Sequence, residues 1–206
     1  MKIKNFHQKI KLDENLSYLI GFIMGDGNLG GSYIIRAVEE NREFLENIYC
    51  KKFFTVFNVK KKIYFDKFNN SYVAYIHSKK IWNFLKELGI PSGTKSRIIS
   101  VPDIISNDDK ILSSFISGIF DAEGSVITMK DSHHKNGYLR IQMKLHNKII
   151  TEQIHSSLLK FGIKSKLYNY EDFSMIQING KKNGLLFFDK INFEHPNKVK
   201  KIRAFL

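Results

Sequence analysis

The sequence predicts an α+β fold of two similar halves, each running α-β-β-α-β-β-α. Three observations predict it. A stretch of small residues ending in an acid and a glycine occurs twice, at residues 17–27 and 114–124. The helical and strand-like patterns that follow each copy recur in the same order, and internal duplication of this kind decides the fold before any single element does. Several of the strand-like stretches alternate polar and apolar side chains with period two, as half-buried antiparallel strands do. At 206 residues with 43% hydrophobic content, the chain suits one compact unit or two intimately packed halves. The expected halves are 1–98, with a basic arm at 1–12, and 99–206.

The first copy reads Ser17-Tyr-Leu-Ile-Gly-Phe-Ile-Met-Gly-Asp-Gly27 and the second Ser114-Phe-Ile-Ser-Gly-Ile-Phe-Asp-Ala-Glu-Gly124. Ser17, Gly21 and Gly25 fall on one helix face, as do Ser114, Gly118 and Ala122. Such a stripe lets two helix backbones approach closely, as small residues do between membrane helices. Packed along their stripes, the helices bring Asp26 and Glu123 side by side at their C-terminal ends. Two carboxylates there repel each other and oppose the helix dipoles. A hard cation between them resolves the conflict, and carboxylate with carbonyl oxygen suits magnesium.

The other elements follow in order. Asp13 or Asn15 caps the first helix, and 28–31 reads as a tight glycine-rich turn. A strand is expected at 33–38 and an amphipathic helix at 41–54, with Phe44, Leu45, Ile48 and Phe53 inward. Strands at 59–66 and 71–78 flank a turn at 67–70, and a helix at 81–88 is stopped by Gly89 and Pro91. Residues 92–103 connect the halves. The second signature helix starts near 107–109. A hairpin of 125–130 and 138–146 surrounds the turn 131–137. A helix at 147–161, strands at 164–170 and 174–179, and a helix at 183–191 complete the second half. Asn41-Arg42 matches Asn147-Lys148, while Lys60, Lys62 and Tyr64 match Lys164, Lys166 and Tyr168.

Composition narrows the partners. The net charge is +13 and the pI about 9.6, which calls for a polyanion. No stretch approaches the ~20 apolar residues of a spanning helix, and the start has no apolar run of a signal peptide. One cysteine, Cys50, excludes an internal disulfide and fits a reducing compartment, cytoplasmic with the nucleoid or organellar rather than secreted. There is no Cys/His zinc pattern. Between Tyr138 and His146 the strand places Tyr138, Arg140, Gln142, Lys144 and His146 on one face. Lysines and arginines neutralise phosphates, and Arg and Gln make bidentate contacts to base edges.

The doubled stretch resembles the two nine-residue signatures of the LAGLIDADG homing endonucleases, in the single-chain, two-motif branch. The resemblance spans essentially the whole chain. It implies two pseudosymmetric halves, each with a saddle-like antiparallel sheet, packed through the signature helices astride a DNA duplex. It implies cleavage of both strands across the minor groove, leaving short 3′ overhangs. Asp26 and Glu123 would hold Mg²⁺ with the carbonyls of Gly25 and Ala122; Mn²⁺ would substitute, and Ca²⁺ would bind without efficient cutting. Lys95 and Lys198 fall where the family places a basic residue near the metals. The expected DNA-binding set is Arg36, Lys60, Lys62, Tyr64, Tyr75, Thr128, Lys130, Tyr138, Arg140, Gln142, Lys144, His146, Lys164, Lys166, Tyr168, Tyr170 and Gln177.

Two departures stand out. The family usually has a glutamine and a basic residue just before the helix-opening Asn, where this chain has Glu39 and Glu40 in one half and Leu145 and His146 in the other. The turn 28–31 is too short for a long first hairpin, so the first half would touch less DNA. The single-chain, two-motif resemblance implies a monomer. A start at Met1 without the flanking cysteine and terminal His-Asn of a splicing element points to a freestanding, intron-encoded protein rather than an intein-embedded one. The alternatives are an RNA maturase acting on intron RNA, or a DNA-binding regulator without cleavage.

Overall fold

The structure, a computed structural model, describes residues 10–93, 100–129 and 137–205. Helix α1 (Glu14–Gly25) opens the fold. Its N-cap is Asp13, whose carboxylate accepts from the Leu16 N–H at 2.9 Å. The matching helix α5 (Asp109–Glu123) is capped by Asp108, which accepts from the Lys110 and Ile111 N–H groups. These caps satisfy amide groups that a helix start would otherwise leave without partners.

α1 and α5 pack along the small-residue stripes, and the contact is reciprocal. A Cβ on Gly21 would run into the Phe115 carbonyl oxygen, and one on Gly118 into the Tyr18 carbonyl oxygen. Tyr18 and Phe115 are equivalent positions in the two stretches, so the same backbone contact is made twice. Lower down, a Cβ on Gly25 would collide with that of Ala122: one methyl group fills the space that the two positions share.

Each half then adds a four-stranded antiparallel sheet. In the first, β1 (Gly27–Leu29), β2 (Ile34–Glu39), β3 (Ile63–Asp66) and β4 (Ser71–His77) lie in the order β1-β2-β4-β3. In the second, β5 (Gly124–Met129), β6 (Tyr138–Leu145), β7 (Lys166–Asn169) and β8 (Ser174–Asn179) repeat that order. The connecting helices also correspond. Asn41 caps α2 (residues 42–57) by accepting from the Phe44 N–H at 3.0 Å, and Asn147 caps α6 (Lys148–Lys160) by accepting from the Ile150 N–H at 3.1 Å. α2 runs as an α-turn (Arg42–Phe44), a π-helical stretch (Leu45–Cys50) and a second α-segment (Lys51–Phe57). Helices α3 (Lys79–Glu87) and α7 (Lys181–Lys190) close the two repeats.

The apolar faces of sheets and helices meet in one core. Phe22 touches Phe44 and Tyr49, each at 5.3 Å between ring centres. Its counterpart side of the molecule holds Phe120 against Phe187 at 4.8 Å. Burying each such ring contributes about 1.5–3 kcal/mol.

The structure departs from expectation in five places. Residues read as a turn after the first helix include a short strand, β1, tied to β2 through Gly27 and Ala37. Strand β3 begins at Ile63, so Lys60 and Lys62 sit in irregular chain before it; likewise Lys164 precedes β7 and Tyr170 follows it. Lysine-rich stretches lack the apolar inward side chains that make pairing worthwhile. A short helix α4 (Asp103–Ser106) precedes α5, where no element was expected between the connection and the second signature helix. A further helix, α8 (Pro196–Phe205), follows the second repeat and buries Ile202 and Phe205. Pro196 occupies its first position, where proline's missing N–H costs nothing.

The fifth departure is Thr128. It pairs with Leu139, whose side chain is in the core, whereas Ile127 pairs with Arg140. Residues directly opposite in an antiparallel pair share a face, so Thr128 points away from the polar face expected to carry it. It lines a hollow with Lys200, Lys201 and Phe205 on the α8 side.

Candidate metal centre and nucleic-acid face

The two signature helices deliver their acids to one place because Gly25 and Ala122 let the backbones touch just before them. The Glu123 Cγ lies 3.1 Å from where a Gly25 Cβ would be, so its side chain lies against the residue preceding Asp26. Asp26 is exposed, and its N–H closes the helix by donating to the Phe22 carbonyl at 3.0 Å. A cleft of about 810 Å³ opens here, lined by Asp26, Asn28, Arg36, Val38, Ser71, Ala122, Gly124 and Lys198 among others. Asn28, Arg36, Val38 and Ser71 share the polar face of the first sheet through the pairings Asn28–Arg36 and Val38–Val73, so that face opens directly onto the acids.

Lys198 reaches in from α8. Its ammonium donates to the Phe120 carbonyl at 2.9 Å and the Asp121 carbonyl at 2.5 Å. These carbonyls end α5 and carry the negative end of its dipole. Burial pushes the Lys198 pKa below its ordinary value, while Asp121, Glu39, Asp26 and Glu123 pull it back upward. A lysine so placed stabilises negative charge and exchanges a proton more readily than a surface lysine.

Behind the cleft is a network that the sequence did not announce. Asp121 is fully buried. It accepts from the Tyr18 hydroxyl at 2.7 Å, from the Glu194 N–H at 2.8 Å and from the His195 N–H at 3.2 Å. Burial raises its pKa, against the lowering effects of Tyr18, Lys198 and the two amides. His195 Nδ1 accepts from the Asn197 N–H at 3.2 Å, which leaves Nε2 to face the Glu39 carboxylate at 3.5 Å. The imidazole stacks on Phe44 at 4.7 Å. Glu39 is thus bound into the support of the site from the inner side of its sheet. Sequence offered one signal for this network: an acid two positions before Glu123, where the first copy has Met24.

The second sheet's polar face carries rows set by strand register. Gln142 lies opposite Ser125 and Gln177, and Gln177 opposite Lys166. Arg140 lies opposite Asn179, and its Nε donates to Asn179 Oδ1 at 3.0 Å and to the Tyr138 hydroxyl at 2.9 Å. Lys144 faces Met175, which faces Tyr168. His146 follows the strand and donates from Nδ1 to the Asp172 carbonyl at 2.9 Å. Tyr170 stacks on Phe173. On the first sheet Arg36 lies over the Tyr75 ring at 5.8 Å, and Tyr64 projects from the same face opposite Val73. Lys60, Lys62 and Lys164 are exposed beside these faces. Lys95 and Lys130 lie outside the described residues. Among the described residues no cluster of three or more His, Cys, Asp and Glu side chains could hold a metal. The donor set that remains, two carboxylates and helix-end carbonyls, consists of hard oxygens and fits magnesium better than zinc.

Comparison with known proteins matches this geometry. Residues 110–192 match the model of the family described as LAGLIDADG-like domain. The structure of the homing endonuclease I-DmoI in complex with DNA and Mn superposes with a TM-score of 0.63 at 18% identity, covering 90% of this chain and 99% of that one. Residues 110–192 are a LAGLIDADG-like domain, and the chain as a whole has the LAGLIDADG fold. The LAGLIDADG fold also superposes on the N-terminal LAGLIDADG domain of DUF199/WhiA, with a TM-score of 0.59 at 17% identity over 94% of this chain and 91% of that one. In sequence, the chain is 30% identical to a segment of a glutamine–fructose-6-phosphate aminotransferase of Methanocaldococcus jannaschii, over 93% of its length but 17% of the aminotransferase's. It is 26% identical to a segment of the replication factor C small subunit of the same organism, covering 92% of this chain and 10% of that protein. The chain therefore spans less than a fifth of the length of these relatives. No helix among the described residues is long and apolar enough to cross a membrane.

Proposed function

We propose that the protein is a monomeric, divalent-metal-dependent endonuclease that cuts double-stranded DNA at a specific site and leaves short 3′ overhangs. The observation that carries this reading is the meeting of Asp26 and Glu123 at the ends of the backbone-packed helices, beside Lys198 and beneath two polar sheet faces. Two anions at that place oppose phosphate binding unless chemistry needs them. Asp26 and Glu123, with the carbonyls of Gly25 and Ala122, would hold Mg²⁺, or Mn²⁺ in its stead. Bound there, the ion would supply an activated water and stabilise charge on the leaving oxygen. The protein's own part is to orient: the sheets fix the duplex, and Lys198 holds positive charge beside the acids.

The sequence relatives support a mobile element as its setting. A module of this length recurs inside an aminotransferase and a replication factor, whose names share no activity, so the module's activity is not theirs. A self-spreading DNA endonuclease accounts for such a distribution.

The test is a cleavage selection on a randomised duplex library in Mg²⁺. Wild-type protein should enrich one target family; Asp26→Asn and Glu123→Gln should still bind that target but not cut both strands. Replacing Mg²⁺ by Ca²⁺ should give binding with little cutting. Binding without any cutting by the wild type would replace the reading with a DNA-binding regulator on the same fold.

A further inference from the structure

The turn joining β3 to β4 carries Phe68 with its side chain wholly in solvent, at 102% relative exposure. The backbone beneath it is fixed. The Asp66 carboxylate accepts from the Phe68 N–H at 3.1 Å, from the Asn69 N–H at 3.4 Å and from the Asn69 side-chain amide at 2.8 Å. Arg36 reaches the same carboxylate at 3.9 Å. A ring held out by a fixed turn gives up little freedom when something closes on it.

Its place is specific. Asn69 and Ser71, just beyond it, line the cleft that holds Asp26 and Lys198. The ring therefore stands at the rim of that cleft, flanked by Lys67 and Arg36. Cationic neighbours favour a polyanion over an apolar protein surface. The corresponding turn of the second half treats its aromatics differently. Phe173 stacks on Tyr170 at 4.5 Å and lies under the Lys144 ammonium at 3.8 Å, so that ring is already engaged.

We infer that Phe68 is an apolar wedge that enters the base stack beside the cleft, from the first half only. This rests on the DNA-binding reading above. An inserted phenylalanine partly unstacks one base step and kinks the duplex. Steps differ in how easily they yield, pyrimidine–purine steps most easily. The wedge thus makes the deformability of one step part of target choice, without a hydrogen bond to either base.

The experiment selects bound duplexes from a randomised library in Ca²⁺, with wild type and with Phe68→Ala. Because the ring is fully exposed, the variant keeps the fold. Wild type should enrich TA, CA or TG at one step on the first half's side of the centre, and Phe68→Ala should lower that enrichment roughly tenfold while other positions hold. A 2-aminopurine placed at that step should brighten on binding wild type and stay dim with Phe68→Ala. Identical profiles and fluorescence for the two proteins would overturn the wedge and leave the DNA-binding reading standing. An equal loss of affinity on all sequences would also overturn it, showing mere contact. Failure of the wild type to bind any duplex would overturn both.

Discussion

The Tyr18 hydroxyl of one signature helix donates to the Asp121 carboxylate of the other at 2.7 Å, with both residues buried. Burial pushes the Tyr18 phenol far above its ordinary pKa, reinforced by the charge of Asp121, so the hydroxyl remains a donor throughout the working range. Tyr18→Phe leaves a buried carboxylate short of one partner, which costs about 1–3 kcal/mol. For a domain of this size the melting temperature should fall by roughly 2–4 °C per kcal/mol. An unchanged melting curve would show that water replaces the hydroxyl without cost.

Gly21 and Gly118 each face a carbonyl of the opposite helix. Gly21→Ala and Gly118→Ala should therefore destabilise to similar extents, by at least the ~1–3 kcal/mol of ordinary overpacking. Urea unfolding of the two variants tests this. A large effect at one position and none at the other would contradict the reciprocal contact.

Arg140 and Gln142 stand on one strand face about 6–7 Å apart, at ~3.3 Å of rise per residue. If each reads a base edge, Arg140→Ala and Gln142→Ala should relax preference at one or two adjacent target positions, by ~1–3 kcal/mol for the preferred base. Lys166→Ala should instead weaken all sequences alike and lower the salt slope by about one. Cleavage profiles over single-base target variants, with affinity across a salt series, separate the two behaviours.

Glu39 supplies a pH signature. Burial alone would raise its pKa, but the contact with His195, the Asn41 N–H at 3.0 Å and the Lys198 charge outweigh it, and the value falls below the ordinary 4.5. A carboxylate depressed in the folded state adds stability above its unfolded pKa and loses it as pH falls through the folded value. Glu39→Gln should thus be less stable than wild type near neutrality, and the gap should narrow below pH 4.5. Unfolding measured from acid to neutral pH checks this; a gap of constant size would assign the loss to packing.

The helix pair and its two acids were legible in the sequence because close backbone contact demands small residues at fixed spacing, and that demand repeats. The strand carrying Arg140 was legible for a similar reason, since Leu139, Ile141, Met143 and Leu145 alternate without interruption. Thr128 was misplaced because its strand runs Val126-Ile-Thr-Met129, where no alternation distinguishes the faces. The joining of Asp121 to Tyr18, and of Glu39 to His195, escaped because such pairs are made by residues distant in the chain. Nothing local marks one buried acid for a partner over a hundred residues away. The α8 helix escaped because Glu194-His-Pro196 reads locally as an ending, although proline also begins helices.

The Tyr18–Asp121 bond has no twin. Its equivalent positions are Phe115 and Met24, both buried and apolar. The Gly25–Ala122 contact, where one methyl group fills the shared space, already differs from side to side. The Gly21 and Gly118 contacts are the same from either side, so at those positions two first halves, or two second halves, could pair just as well. Side chains forbid it. Two second halves would set each Asp121 against a Phe115, burying a carboxylate with no donor across the seam. Two first halves would set each Tyr18 hydroxyl against a Met24. One polar pair opposite one apolar pair thus acts as a mating key, by which two near-copies in one chain recognise each other as different.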